Sequence, residues 1–293
     1  MRWARLLRST LLAAGADDLL DWSAALSFYF LFALFPTVLI VASLLGTLHL
    51  EGLVQHLVVA LTRHLPLESA ALVSRELHEL LLNNVPGLAS LGVILLLYSA
   101  SQGFSGLMAA LNAAYEVPET RSFWRRIAVA YGLTFSAGIF IALALTMLLL
   151  GQRMLTVLAG PVHLGVVLTY VWPAIRWAVT IGFMMLAVRL LYRYAPNVRR
   201  ETHGINAAVA CAMVIWLAGS AILAYYINHF SQYSAIYGSL SAVIALMLWF
   251  YIFSLSILLG AELHNEWLKA RGIRLATPVR PKPASTAPPG KAA

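Results

Sequence analysis

Few residues of this chain have types and spacings that could do chemistry. Near the end of its longest apolar run, the stretch AELHNEW brings Glu262, His264 and Glu266 close together. Carboxylates beside an imidazole are the raw material of a metal site that activates water for hydrolysis. On a helix, however, His264 lies about 200° around the axis from Glu262, so the three do not share one face. Asp17, Asp18 and Asp21 form a second acidic group with no histidine beside it. His49, His56, His64 and His78 are scattered, where a metal site needs convergent ligands at fixed spacing. The chain has no Walker loop, no G-x-S-x-G and no H-E-x-x-H. No enzymatic activity, catalytic residue, metal or cofactor is expected, and a metal-dependent nuclease is disfavoured. The single Cys211 excludes an intrachain disulfide and reads as a small packing residue.

A second group stands out because of its surroundings. Tyr98, Ser99, Ser101, Gln102, Asn112, Asn206 and Glu262 interrupt long apolar runs or sit at their ends. Polar groups at membrane depth are costly unless paired and often mark a transport path. They also serve simply as interhelical glue. Asn112, Asn206 and Glu262 fall at one depth once the spans are placed, so Asn112, Asn206, Glu262, Gln102 and Tyr98 are expected to line one polar cavity. Counting along antiparallel spans puts Arg189 and Arg193 level with Glu262. An ion pair between Glu262 and one of them is expected, since a half-buried carboxylate is costly alone.

The elements that must position these residues are membrane helices. The chain is 61 % hydrophobic and 11 % charged, with a mean hydropathy of +0.80. A soluble domain has about 25 % charged residues. From Ser239 to Leu259 there are 21 residues without a charge, and roughly 20 helical residues cross the ~30 Å hydrocarbon core. The expected fold is all-α: a polytopic membrane protein with six transmembrane helices near 24–48, 88–115, 127–150, 174–194, 204–227 and 239–261. Pro36 lies inside the first span, where a kink is expected. Gly238, Ala242, Ala245, Trp249, Ile252, Ser256 and Gly260 make a stripe of mostly small residues on the last span, suited to close helix packing.

Around the six-helix domain, 22–267, lie three further segments. Residues 1–21 read as an amphipathic helix on the cytoplasmic membrane surface, Trp3, Leu6, Leu7, Leu11 and Ala14 opposing Arg2, Arg5 and Arg8. No cleavage is expected there, because Leu11 to Ala14 is too short for a signal-peptide core. Residues 50–83 carry two amphipathic stripes separated by Pro66 and read as helices of the first extracytoplasmic loop. Residues 268–293 are basic, rich in proline, and expected to be disordered. With both termini placed in the cytoplasm, 16 of the 20 Lys and Arg residues fall inside and only Arg63, Arg75, Arg153 and Arg176 outside. That asymmetry follows the positive-inside rule. The net charge of +8 is thereby a matter of topology, and nucleic acid is not an expected partner. The lipid bilayer is, together with an anionic lipid or solute drawn to the cytoplasmic arginines.

Four stretches carry a family resemblance: AALSFYFLFALFPTVLIVASLLG (24–46), YSASQGFSGLMAALNAAYEVPETRSFWRR (98–126), LLYRYAPNV (190–198) and NHFSQYSAIYGSLSAVIALMLWFYIFSLSILLGAEL (from Asn228). Together they resemble the YihY/BrkB family of bacterial inner-membrane proteins over about residues 20–267, with Ser241 replacing the family's usual glycine. The resemblance implies a six-helix inner-membrane protein. Members have carried the name ribonuclease BN, a link to serum resistance and the label of transporter, with no accepted catalytic residues. The expectation is a protein translocating an anionic solute or lipid headgroup. The alternative is a non-transporting envelope scaffold.

Overall fold

The computed structural model describes residues 3–47, 88–159, 171–198, 204–229, 240–273 and 275. Among the described residues all regular structure is helical, in seven helices: α1 (Trp3–Ala16), α2 (Leu19–Thr47), α3 (Leu88–Ala114), α4 (Phe123–Ala159), α5 (Trp172–Tyr194), α6 (Ile205–His229) and α7 (Leu240–Ala270). Four of them contain stretches long and apolar enough to cross a membrane: Phe123–Ala144, Trp172–Tyr194, Ile205–Ile227 and Val243–Ala270. Their outward faces carry Phe135, Ile139, Ile141, Val214 and Ile222, all exposed on the chain surface. Side chains of this kind facing outward from long helices suit lipid rather than water.

Helix ends depart from the expected spans in three places. α2 begins at Leu19 and runs without interruption through Pro36 to Thr47. α4 continues through Ala159, so part of the expected loop 151–173 is helical; QRMLTVLA has no proline or glycine to stop it. At 37 residues it is about 55 Å long, more than the ~30 Å hydrocarbon core requires. α7 runs past Glu262 and stops only at Gly272, a glycine with φ +74°, whose N–H bonds the Lys269 carbonyl. The amphipathic stripes of 50–83 and the tail after 275 lie outside the described residues.

The helices pack as neighbouring pairs: α2 against α3, α6 against α7, α4 against α5, and α2 against α7. Glycines set the closest approaches. Gly103 and Gly106 of α3 face Leu26, Tyr29 and Phe30 of α2. On α7, Gly260 faces Tyr192 of α5 and Ala208 and Ala212 of α6, where a Cβ would stand 2.8 Å from the Ala212 Cβ. The Tyr192 hydroxyl crosses that seam to donate to the Ile257 carbonyl at 2.6 Å. The stripe of small residues read from the sequence therefore meets α6 at Gly260. α1 packs against the far end of α7. Its expected single apolar face is divided: Leu6, Thr10 and Ala14 are buried, whereas Leu7, Leu11 and Leu12 point outward beside Arg5 and Arg8.

Candidate functional site

The end of α3 and the end of α7 meet beside the α1–α2 junction, and the polar residues of the fold concentrate there. On α7, Leu258, Ala261, Glu262, Asn265 and Leu268 recur at three- and four-residue steps and are all buried. Asn265 uses its amide to satisfy a carbonyl at the end of α3, donating from Nδ2 to the Ala114 oxygen at 3.1 Å. His264 Nδ1 and the Tyr115 hydroxyl lie 3.0 Å apart, their rings edge to face. Further along, Lys269 Nζ bridges Glu116 at 2.6 Å and Glu266 at 2.8 Å.

Glu262 sits beneath that bridge. It is 0 % exposed, and among the described residues neither carboxyl oxygen has a hydrogen-bond partner. The Asp17 carboxyl faces it from the α1–α2 junction. Burial, then the Glu116 charge, push the Asp17 carboxyl above its ordinary value, against the pull of Lys269 and Glu262. The two chain turns flanking the site each use a left-handed residue, Asp18 at φ 51° and Glu116 at φ 52°. For a glutamate that conformation is uncommon and strained.

A second polar cluster is fully satisfied. Asn112 Nδ2 donates to Glu119 at 3.0 Å, and its Oδ1 accepts the Asn197 backbone N–H at 2.7 Å. Asn197 Nδ2 donates in turn to the Pro118 carbonyl and the Thr120 hydroxyl, both at 2.8 Å. Arg121 holds Glu119 through two nitrogens, at 2.8 and 2.7 Å, and caps the end of α5 through the Ala195 carbonyl at 2.7 Å. Burial pushes the Glu119 carboxyl up, but the Arg121 and Asn112 bonds outweigh it and hold it below the ordinary range. This bracket ties NAAYEVPETR to YAPNV, two stretches that carry the family resemblance.

The five cavity candidates do not converge. Asn112 belongs to the bracket and Glu262 to the carboxyl cluster, while Tyr98 is 63 % exposed and Gln102 and Asn206 also face outward. Nor is the ion pair from Glu262 to Arg189 or Arg193 formed. α7 packs chiefly on α6, α2 and α1; Arg189 is exposed, and Arg193 turns toward the Tyr194 ring at 5.6 Å. Equal depth does not make two residues neighbours, because azimuth around each helix decides which side chains meet. Tyr115, Glu116, Asn265 and Lys269 were not singled out in the sequence. The signal for Asn265 is the three-residue spacing of the buried Glu262, Asn265 and Leu268; Tyr115, Glu116 and Lys269 carry none in the sequence.

Among the described residues no group of three or more His, Cys, Asp or Glu side chains could hold a metal ion.

Comparison with known proteins agrees with a membrane protein, and one relative carries a ribonuclease-like name. The chain is 31 % identical over 242 residues to "Putative ribonuclease-like protein YfkH" of Bacillus subtilis, covering 83 % of this chain and 87 % of that one. It is 26 % identical over 283 residues to a UPF0761 membrane protein of Chromohalobacter salexigens, across 91 % of this chain and 64 % of the relative. A UPF0761 membrane protein of Tolumonas auensis is 37 % identical over 98 residues, 32 % of either chain. The chain thus spans about a third to two thirds of these UPF0761 relatives, and most of YfkH. No solved structure matches. The family profile described as Virulence factor BrkB matches residues 10–279, which takes in both polar clusters and every helix from α2 to α7: the chain belongs to the BrkB family of membrane proteins.

Proposed function

We propose that this protein is a six-span inner-membrane transporter or lipid-translocating protein with both termini in the cytoplasm, acting on an anionic solute or headgroup. The observation that carries the reading is Glu262. A carboxyl that is wholly buried in a membrane helix, with both oxygens unpartnered, costs the fold stability and makes sense as a working group. Arg125, Arg126 and Arg189 are exposed toward the same end of the helices, which supports attraction of an anion to that side. The division into a membrane domain over 22–267 and a basic tail belongs to the same reading, resting on the charge asymmetry of the sequence.

A scaffold reading has one observation in its favour: Tyr98 and Gln102 of α3 and Asn206 of α6 face outward and do not line a shared path. Flux in proteoliposomes separates the two. Labelled anionic lipids and small anions are followed for the wild type, Glu262→Gln and Asn206→Ala. Transport predicts flux in the wild type and in Asn206→Ala, with loss in Glu262→Gln. No flux of any cargo from well-folded protein favours the scaffold. RNA cleavage is not expected of the purified protein, and metal-dependent cleavage lost on changing Glu262 or His264 would reverse that view.

A further inference from the structure

The helix α1 is held against α7 beside two carboxyls, Asp17 and Glu262, that form no ion pair among the described residues. Leu6, Thr10 and Ala14 form the buried face of α1, and Ser9 reaches Glu266 of α7. At the end of α1 the chain turns through Asp18, which brings Asp17 to Glu262. The surrounding groups can be followed element by element. From α3 come Tyr115, whose hydroxyl is engaged by His264, and Glu116. From α7 itself come Glu266 and Lys269. Lys269 is committed to Glu116 and Glu266 at the rim, so it does not neutralise Glu262. From α2, Asp21 acts higher up, on Tyr251. Toward this part of α7, α6 turns Ala208 and Ala212. Two ionised carboxylates cannot share such a place without strong repulsion, whereas one proton converts them to a short O–H···O⁻ pair.

We propose that Asp17 and Glu262 form a proton-binding site, one proton held between the two carboxyls, and that this proton fastens α1 to α7. Loss of the proton leaves two like charges at the joint and releases the first helix from the cytoplasmic end of the last. The proton comes from and returns to water at the Glu116–Lys269–Glu266 rim. Such a pair titrates as a unit, and its behaviour belongs to both residues. The inference adds to the transport reading the group that shares Glu262's proton, and rests on that reading only for the proton's use in transport.

The test uses full-length protein reconstituted in lipid, and requires no flux. The infrared carbonyl stretch of protonated carboxyl groups is recorded across about pH 5 to 9, spanning the range in which buried carboxyls titrate. Alongside it, a nitroxide at Leu11→Cys, in a Cys211→Ala background, reports the mobility of α1. The expected result is a protonated-carboxyl band that disappears with rising pH, together with a rise in label mobility over the same interval. In Glu262→Gln and in Asp17→Asn the neutral amide replaces the proton as donor, so the band is lost and α1 stays immobile throughout. Should Glu262→Gln fail to fold, Asp17→Asn at the half-buried junction carries the same comparison. A wild-type label whose mobility ignores pH overturns the proposal, as does a titrating band that survives both substitutions. Absence of flux with a normal titration would reject only the transport reading.

Discussion

Asn112 of α3 and Asn197 beyond α5 are joined directly, the Asn197 backbone N–H donating to the Asn112 side-chain oxygen at 2.7 Å. The other end of the Asn112 amide holds Glu119, so a single side chain ties the connector after α3 to a residue 85 positions beyond Asn112. Removing it in Asn112→Ala strands a buried N–H and one Glu119 contact. A stranded buried polar group costs about 1–3 kcal/mol. The expected outcome is a lower melting temperature in detergent. Asn112→Asp should also be destabilised, since it keeps the acceptor for Asn197 and sets a carboxylate against Glu119. Unchanged melting in both would contradict the bracket.

The glycines of α4 and α7 should respond oppositely to a methyl group. A Cβ at Gly260 meets Tyr192, Ala212 and the Ala208 carbonyl, whereas a Cβ at Gly132 or Gly138 meets nothing within 4 Å. Gly260→Ala should part α6 from α7 and break the Tyr192–Ile257 hydrogen bond, destabilising by about 1–3 kcal/mol as overpacked sites do. Gly132→Ala and Gly138→Ala should be neutral or slightly stabilising, because alanine is the better helix former. Thermal unfolding of the three variants side by side decides the matter.

Glu119 gives the fold a defined acid sensitivity. Its carboxyl lies below the ordinary value in the folded chain, so its stabilising effect is complete above the unfolded value, near 4.3. The effect disappears as pH falls through the lower folded value. Stability should therefore be insensitive to this group between neutral pH and about pH 5 and decline in stronger acid. Arg121→Ala should remove that acid step. Arg121→Lys should restore it only in part, because lysine cannot reproduce the two-pronged contact.

Six spans with cytoplasmic termini make a sharp prediction about sidedness. Reporter fusions after Asn84 and at the C-terminus should report opposite sides of the membrane, the first outside and the second inside. Both on one side would remove a span from the proposed topology.

Different parts of this molecule were legible in the sequence to different degrees, for physical reasons. Membrane helices announce themselves through length and lack of charge, and α5, α6 and α7 lie where those signals put them. Helix ends were harder, since Gly151 does not stop α4 and Glu262 does not stop α7. Glu262 was conspicuous as a lone carboxyl closing an uncharged run. Its neighbours were not, because depth along a helix is readable from the sequence while azimuth between helices is not. Asp17 illustrates this well. In the sequence it is one of three acidic residues after a basic helix; in the fold it faces a residue 245 positions later.

The docking of α1 on α7 also bears on how the protein is made. α1 precedes in synthesis the α7 residues it packs on, so the joint cannot close before α7 has been made. Every helix between them must be inserted before Leu6 and Ala14 find α7 and Asp17 reaches Glu262. A contact with so large a sequence separation is late and slow to form. A chain truncated before α7 never acquires the joint at all. Closure of α1 on α7 is therefore a mark that the helices between them have been assembled.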